Sequence, residues 1–131
     1  DALDVRPHPH IGLATVTYLF DGAMQHHDST GAFQRIEPGA INWMTAGKGI
    51  AHSERTPPDI RKQGHTLHAL QLWLALPEED EQTEPGFSHY GSEDLPLIEE
   101  SSKTIRVMIG EAYGVKSAVK TFSSSLYVEA Q

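Results

Sequence analysis

The chain has 131 residues, and its 18 acidic residues outnumber its 10 basic ones, which gives a formal net charge of -8. This length predicts a single domain with its own hydrophobic core, and the negative charge argues against direct binding of nucleic acid or of an anionic membrane. Because no cysteine is present, disulfides, thiolate zinc sites and a cysteine nucleophile are excluded.

Short β-type segments follow one another along the chain. Residues 11–20 are rich in β-branched and aromatic residues and end at Asp21-Gly22, a typical hairpin signal. Further strands are predicted at residues 23–28, 33–36, 41–45, 50–54, 104–109 and 125–129. No segment has a helical period, and turn residues recur at the spacing expected of a sandwich or barrel. The sequence therefore predicts an all-β fold.

The longest apolar stretch covers residues 66–76. Leu70 and Leu72 lie in one phase of an extended strand and Trp73 in the other, which predicts a strand buried on both faces. The acidic residues that follow, at positions 78–84, predict a solvated loop.

Two pairs of ligand-type residues have the spacing of an extended strand. His8 and His10 form one pair, and His52 and Glu54 form the other. Side chains two residues apart lie on the same face of a strand, so two facing pairs would form a four-ligand site. Three imidazoles and a carboxylate favour a divalent transition metal such as iron, nickel, copper, cobalt or manganese over calcium or magnesium. The alternative is a structural cluster in the core that binds no metal.

Counting by twos from His10 predicts which residues surround this site. The same face of one continuous strand would carry Gly12, Ala14, Val16, Tyr18 and Phe20. The small residues Gly12 and Ala14 would leave space beside the metal. They could equally serve only to let two backbones approach closely.

Several motifs together resemble the N-terminal cupin domain of the pirin family. They are residues 8–12 (HPHIG), 15–19 (TVTYL), 43–47 (WMTAG), 49–54 (GIAHSE), 71–73 (QLW) and 110–114 (GEAYG). The resemblance implies a cupin double-stranded β-helix, which is an all-β jelly-roll barrel. It also implies one divalent metal, with Fe²⁺ favoured over nickel, copper, cobalt, manganese or zinc. By this resemblance the metal ligands are His8, His10, His52 and Glu54.

Two features depart from the general pattern. Many cupins have a glutamate ligand where this chain has Ala14, whereas similar pirins take their carboxylate from the position of Glu54. Complete pirins also contain two cupin domains. We therefore expect residues 1–115 to form the N-terminal domain, with its first strands before Asp1. Residues 116–131 would be the connection and the first strand towards a second domain.

The resemblance implies two alternative functions for a cytoplasmic protein that contacts neither membrane nor nucleic acid. The first is a dioxygenase that cleaves quercetin-type flavonols with O2, in which Glu54 is both a ligand and the catalytic base. The second is an iron-binding, redox-sensing co-regulator that acts through protein partners. An apolar, open pocket would favour the enzyme, and a sealed site would favour the sensor. A cupin with a purely structural role is a third reading.

The remaining histidines are weaker candidates for the site. His26, His27, His65 and His68 could donate hydrogen bonds to the metal ligands, but roles at the surface or in the core are favoured for each of them. Of the four, His68 is the strongest candidate for such an outer position.

Overall fold

The computed structural model describes residues 3–131, whose regular secondary structure is almost entirely β-strand. In chain order the strands are β1 (Val5–His10), β2 (Leu13–Asp21), β3 (Met24–Asp28), β4 (Phe33–Ile36), β5 (Ile41–Thr45), β6 (Ile50–Arg55), β7 (His68–Ala75), β8 (Gly86–Tyr90), β9 (Leu97–Glu100), β10 (Lys103–Ile109), β11 (Glu111–Ala112), β12 (Val115–Lys116) and β13 (Tyr127–Ala130). Within the described residues, helix is limited to α1 (Pro58–Arg61) and two 3₁₀ turns at Glu78–Asp80 and Ser92–Asp94. The all-β prediction is confirmed. None of the helices in residues 3–131 has the length and apolar character needed to cross a membrane.

Two four-stranded antiparallel sheets form the body of the fold. Sheet I has the order β1-β6-β3-β4, and sheet II has the order β7-β2-β5-β8. The chain passes repeatedly from one sheet to the other between β1 and β7, as it does in a jelly roll. A third sheet, sheet III, has the order β13-β10-β9.

The two faces of β2 contact different layers, because side chains alternate along a strand. Val16 and Tyr18 belong to a buried cluster that includes Met108 of β10, so this face of sheet II packs against sheet III. On the opposite face, Leu19 packs with Ile36 of sheet I. Sheet II is therefore covered on both sides, and the space between sheets I and II forms a separate interior.

The turn at Asp21-Gly22 is not a hairpin, contrary to the sequence-based prediction. The strands it joins, β2 and β3, belong to different sheets, so the turn is a corner between sheets. Gly22 has a φ of +85°, and a Cβ atom at this position would lie 2.4 Å from the carbonyl oxygen of Thr66. Glycine is required here both for the left-handed backbone and for the close approach of the chain.

The prediction that residues 66–76 form a strand buried on both faces is wrong in its burial. The strand exists as β7, but it lies at the edge of sheet II. Leu70 is 46% exposed and Trp73 is 67% exposed. A run of apolar residues predicts a strand, but it does not distinguish a central position from an edge.

The C-terminal segment pairs with the same body. Val107 of β10 lies opposite Val128 of β13, and the Tyr18 hydroxyl donates a hydrogen bond to Glu129 Oε2 over 3.2 Å. The boundary at residue 115 and the second domain beyond it stay predictions. Residues 1 and 2, at the start of the predicted first domain, lie outside the described residues.

The corner at Gly22 predicts a measurable difference between two glycine substitutions. Gly64 also has a positive φ, of +71°, but a Cβ atom there would have no neighbour within 4 Å. Alanine in the left-handed region costs about 1–2 kcal/mol at either site. The contact with Thr66 should make Gly22→Ala lower the free energy of unfolding by roughly a further 1–3 kcal/mol. Urea denaturation of both variants measures this difference, and equal losses would contradict it.

Candidate metal centre

The pairing of β1 with β6 positions both predicted ligand pairs. His8 lies opposite His52, and His10 lies opposite Ile50. Along β6, His52 and Glu54 lie on the same face of the strand as Ile50, and all three are buried. The alternation of a strand thus directs the predicted ligands into the space between sheets I and II.

Three imidazole rings meet at one point. The Nε2 atom of His52 lies 2.9 Å from Nε2 of His8 and 3.1 Å from Nε2 of His10. His52 is 2% exposed and His10 is 7% exposed. All three rings therefore direct the same type of nitrogen towards a shared, mostly buried point.

The hydrogen bond on the far side of His8 determines what this ring presents to His52. Nδ1 of His8 donates to the backbone carbonyl oxygen of Arg6 over 2.8 Å. A carbonyl oxygen can only accept, so Nδ1 carries the proton, and in the neutral tautomer with this proton Nε2 is a bare lone pair. Such a lone pair is the group that a metal ion binds.

The spacing of the nitrogens also fits a metal. Two nitrogens that each lie about 2.1 Å from one metal at a right angle are about 3.0 Å apart. The observed separations of 2.9 and 3.1 Å bracket this value. The residues present therefore fit a divalent transition metal held by imidazole nitrogens at adjacent coordination positions.

Burial keeps the central rings neutral. Burial, together with charge repulsion from the neighbouring His8, His26 and His10 rings, lowers the pKa of His52 to about 3. Burial also lowers the pKa of His10. Neutral imidazole is the form that coordinates metals, so these two rings are ready to bind at neutral pH.

Glu54 lies at the side of the cluster. Two sets of three residues could each hold a metal ion, because one ligand atom from each residue lies within 4.8 Å of the other two. One set is His8, His10 and His52, and the other is His26, His52 and Glu54. The Gln71 amide donates to Glu54 Oε1 over 2.6 Å. Burial raises the pKa of Glu54, against the opposing effect of this hydrogen bond. The structure thus brings the three histidines together at one point and places the carboxylate of Glu54 beside His52 and His26.

The predicted surroundings of the site were wrong because the phase of the strand changes. Gly12 has a φ of +70° and separates β1 from β2. Ala14 and Val16 therefore face the core below sheet III. Thr17 faces the site instead, where its hydroxyl accepts a hydrogen bond of 2.9 Å from Gln71.

A hollow of about 600 Å³ opens beside the cluster. Its lining is mostly apolar and includes Pro9, His10, Ile11, Leu13, Ile50 and Trp73. The rings of His10 and Trp73 meet edge to face, with 5.2 Å between their centroids. Of the three imidazoles, His10 lies in the lining of this hollow, so the hollow reaches the cluster through His10.

Comparison with known proteins gives the family. The sequence model of the Pirin family matches residues 1–74, which is more than half of the chain. The chain belongs to the pirin family. A pirin-like protein from Caulobacter vibrioides is 48% identical over 126 residues, which are 95% of this chain and 43% of that protein.

Solved structures of similar proteins confirm the cupin fold. A quercetin 2,3-dioxygenase from Acinetobacter baumannii superposes with a TM-score of 0.82 at 44% identity, covering 91% of this chain and 38% of that one. A second structure with the same enzyme name and source has a TM-score of 0.92 at 33% identity, covering 99% of this chain and 46% of that one. This pirin chain thus spans less than half the length of each of these relatives.

Sequence reasoning missed Gln71 and ranked His26 below His68. Gln71 holds Glu54 from β7, and Nδ1 of His26 lies 3.5 Å from Nδ1 of His52. His68, the favoured outer candidate, is exposed and stacks on Phe20 instead. The QLW motif contained Gln71, but nothing local indicated that it would reach the residues of β6.

The assignment of the ligands stays a prediction, and His52 gives its sharpest test. His52→Ala should lower the affinity for Co²⁺ by more than about 100-fold, because the His52 ring faces both other imidazoles. Removing a ligand should cost more metal affinity than removing a residue that only orients a ligand. His27→Ala is the matched control, since His27 is an exposed histidine of β3. Calorimetric titration of the metal-free variants measures the affinities. Similar affinities for the two variants would refute the assignment.

Proposed function

We propose that this chain is the metal-binding domain of a dioxygenase that cleaves quercetin-type flavonols with O2. The open apolar hollow beside His10 is the observation that carries the proposal, because a redox sensor without a substrate needs no such access. The enzyme names of the similar Acinetobacter proteins support the choice of flavonols.

His8, His10 and His52 would hold the metal in this proposal, with Fe²⁺ favoured, and Glu54 would complete the set. When bound, the metal would supply Lewis-acid and redox chemistry for the flavonol oxygens and O2. Four protein ligands leave open positions on a six-coordinate ion.

Trp73 would hold the flat aromatic rings of the substrate. It forms part of the wall of the hollow, and with 67% of its surface exposed it offers a large area for contact. Aromatic pairs contribute about 0.5–1.5 kcal/mol beyond the burial of area. The pocket would thus recognise the shape and apolar faces of a flavonol, while its oxygens point towards His10 and the metal.

Glu54 would accept the proton of the flavonol 3-hydroxyl. Gln71 donates to Oε1, which leaves Oε2 as the proton acceptor. Burial raises the pKa of Glu54, and a raised pKa makes a carboxylate a better base near neutral pH. The role of ligand and the role of base can be separated by substitution.

Glu54→Gln should preserve a carbonyl oxygen for the metal but remove the proton acceptor. Quercetin-dependent O2 uptake by the Fe²⁺-loaded chain should fall by about 100- to 10,000-fold, the contribution of general base catalysis. An oxygen electrode measures the rate, and metal analysis of the same sample shows how much iron is retained. Wild-type turnover by an iron-loaded variant would end the base role of Glu54.

The same assay tests the proposed activity as a whole. The Fe²⁺-loaded wild-type chain should consume O2 with quercetin faster than free Fe²⁺ at the same concentration. A rate no greater than that of free Fe²⁺ would overturn the dioxygenase proposal for this chain and would favour the co-regulator.

Trp73→Ala should weaken substrate binding more than catalysis. We expect KM for quercetin to rise by about 10-fold with little change in kcat, because stacking of about 1.4 kcal/mol is lost equally from ground and transition states. Leu70→Ala is the control, since Leu70 is exposed on the same strand but is not part of the wall of the hollow. A fall in kcat alone, or equal KM values in the two variants, would count against a stacking role.

A further inference from the structure

A row of buried side chains extends from His52 away from the imidazole cluster. Nδ1 of His52 lies 3.5 Å from Nδ1 of His26, and Nε2 of His26 lies 2.7 Å from Asp28 Oδ2. The other oxygen of Asp28, Oδ1, accepts from the Thr30 backbone N–H over 2.8 Å, from the Thr30 hydroxyl over 2.6 Å and from the Ala32 N–H over 3.2 Å. His26 is 3% exposed and Asp28 is 6% exposed.

The position of each proton along this row follows from Asp28. A carboxylate can only accept, so Nε2 of His26 carries a proton and donates it. The other nitrogen of the neutral His26 ring, Nδ1, is then an acceptor. The ring that faces it, His52, can donate to it only from Nδ1–H. This tautomer of His52 presents a lone pair at Nε2, towards the Nε2 atoms of His8 and His10.

We infer that Asp28, acting through His26, holds His52 in the tautomer that presents its bare Nε2 to the metal. Both are positioning residues, because His26 faces Nδ1 of His52 and Asp28 contacts His26, whereas His8 and His10 face the other nitrogen of His52, Nε2. Partners of this kind fix the tautomer and the orientation of ligating histidines in metal sites generally. The inference rests on the predicted metal site but not on flavonol cleavage.

Asp28→Asn should reverse the direction of hydrogen-bond donation along this row of side chains. Two backbone N–H groups and one hydroxyl contact Oδ1, so the amide oxygen of asparagine must take that position. Its NH2 group then faces His26, whose Nε2 becomes an acceptor and whose Nδ1 becomes a donor. His52 must accept at Nδ1 and carry its proton on Nε2, where it opposes metal binding. A carboxylate-to-amide change reverses a histidine tautomer by the same logic in serine proteases.

The experiment measures the tautomer and the metal affinity separately. Two-bond ¹H–¹⁵N couplings in histidine-labelled, metal-free chain give the tautomer of His52, assigned by comparison with His52→Ala. We expect Nδ1–H in the wild type and Nε2–H in Asp28→Asn, together with an approximately 10- to 100-fold loss of Co²⁺ affinity.

Thr30→Val is the matched control. It removes the hydroxyl donor to Asp28 and loosens the same turn, but it leaves the carboxylate acceptor in place. The tautomer of His52 should stay Nδ1–H, and the Co²⁺ affinity should stay within about threefold of wild type, because the direction of donation is unchanged.

Three results would overturn the inference. One is Nε2–H in the wild type, which is decisive even when Asp28→Asn does not fold. Another is an unchanged tautomer in Asp28→Asn, and the third is a reversed tautomer with wild-type Co²⁺ affinity. None of these depends on quercetin, so a chain without dioxygenase activity leaves the test intact.

Discussion

The antiparallel pairing of β1 with β6 is the constraint on which the candidate metal centre depends. It sets His8 opposite His52 and so brings their Nε2 atoms to 2.9 Å from each other. A slip of one residue would turn every side chain of a strand to the other face. Because β6 also pairs with β3, where Asp28 lies opposite His52, its register is fixed from both sides. The same two pairings therefore supply the predicted ligands and the row of side chains behind them.

Sheet II completes the site from the opposite side. Gln71 on β7 holds the carboxylate of Glu54, and Trp73, two residues further along, borders the hollow beside His10. The edge position of β7 leaves Trp73 exposed. One short strand thus provides both a polar group that orients Glu54 and an apolar wall that a planar ligand can contact.

Local patterns in the sequence predicted a large part of this arrangement. Spacing by two places His8 with His10 and His52 with Glu54 on common faces, and this depends only on the geometry of a strand. Local patterns could not predict which strands pair, because pairing joins residues that are far apart in the chain. The role of His26 follows from the β3–β6 register, which no local pattern contains. The count by twos failed at Gly12, whose φ of +70° ends β1 before β2 begins in the other sheet.

Without a cation the site is costly to the folded chain. Glu54 is 5% exposed, and its carboxylate accepts a hydrogen bond from the Gln71 amide. A buried carboxylate without a cation loses hydration that such a hydrogen bond replaces only in part. A divalent metal beside Glu54 would remove much of this cost. Because the register that assembles the ligands does not exist in the unfolded chain, the free energy of metal binding is added to that of folding. The metal would then stabilise the strand pairing that creates its own site.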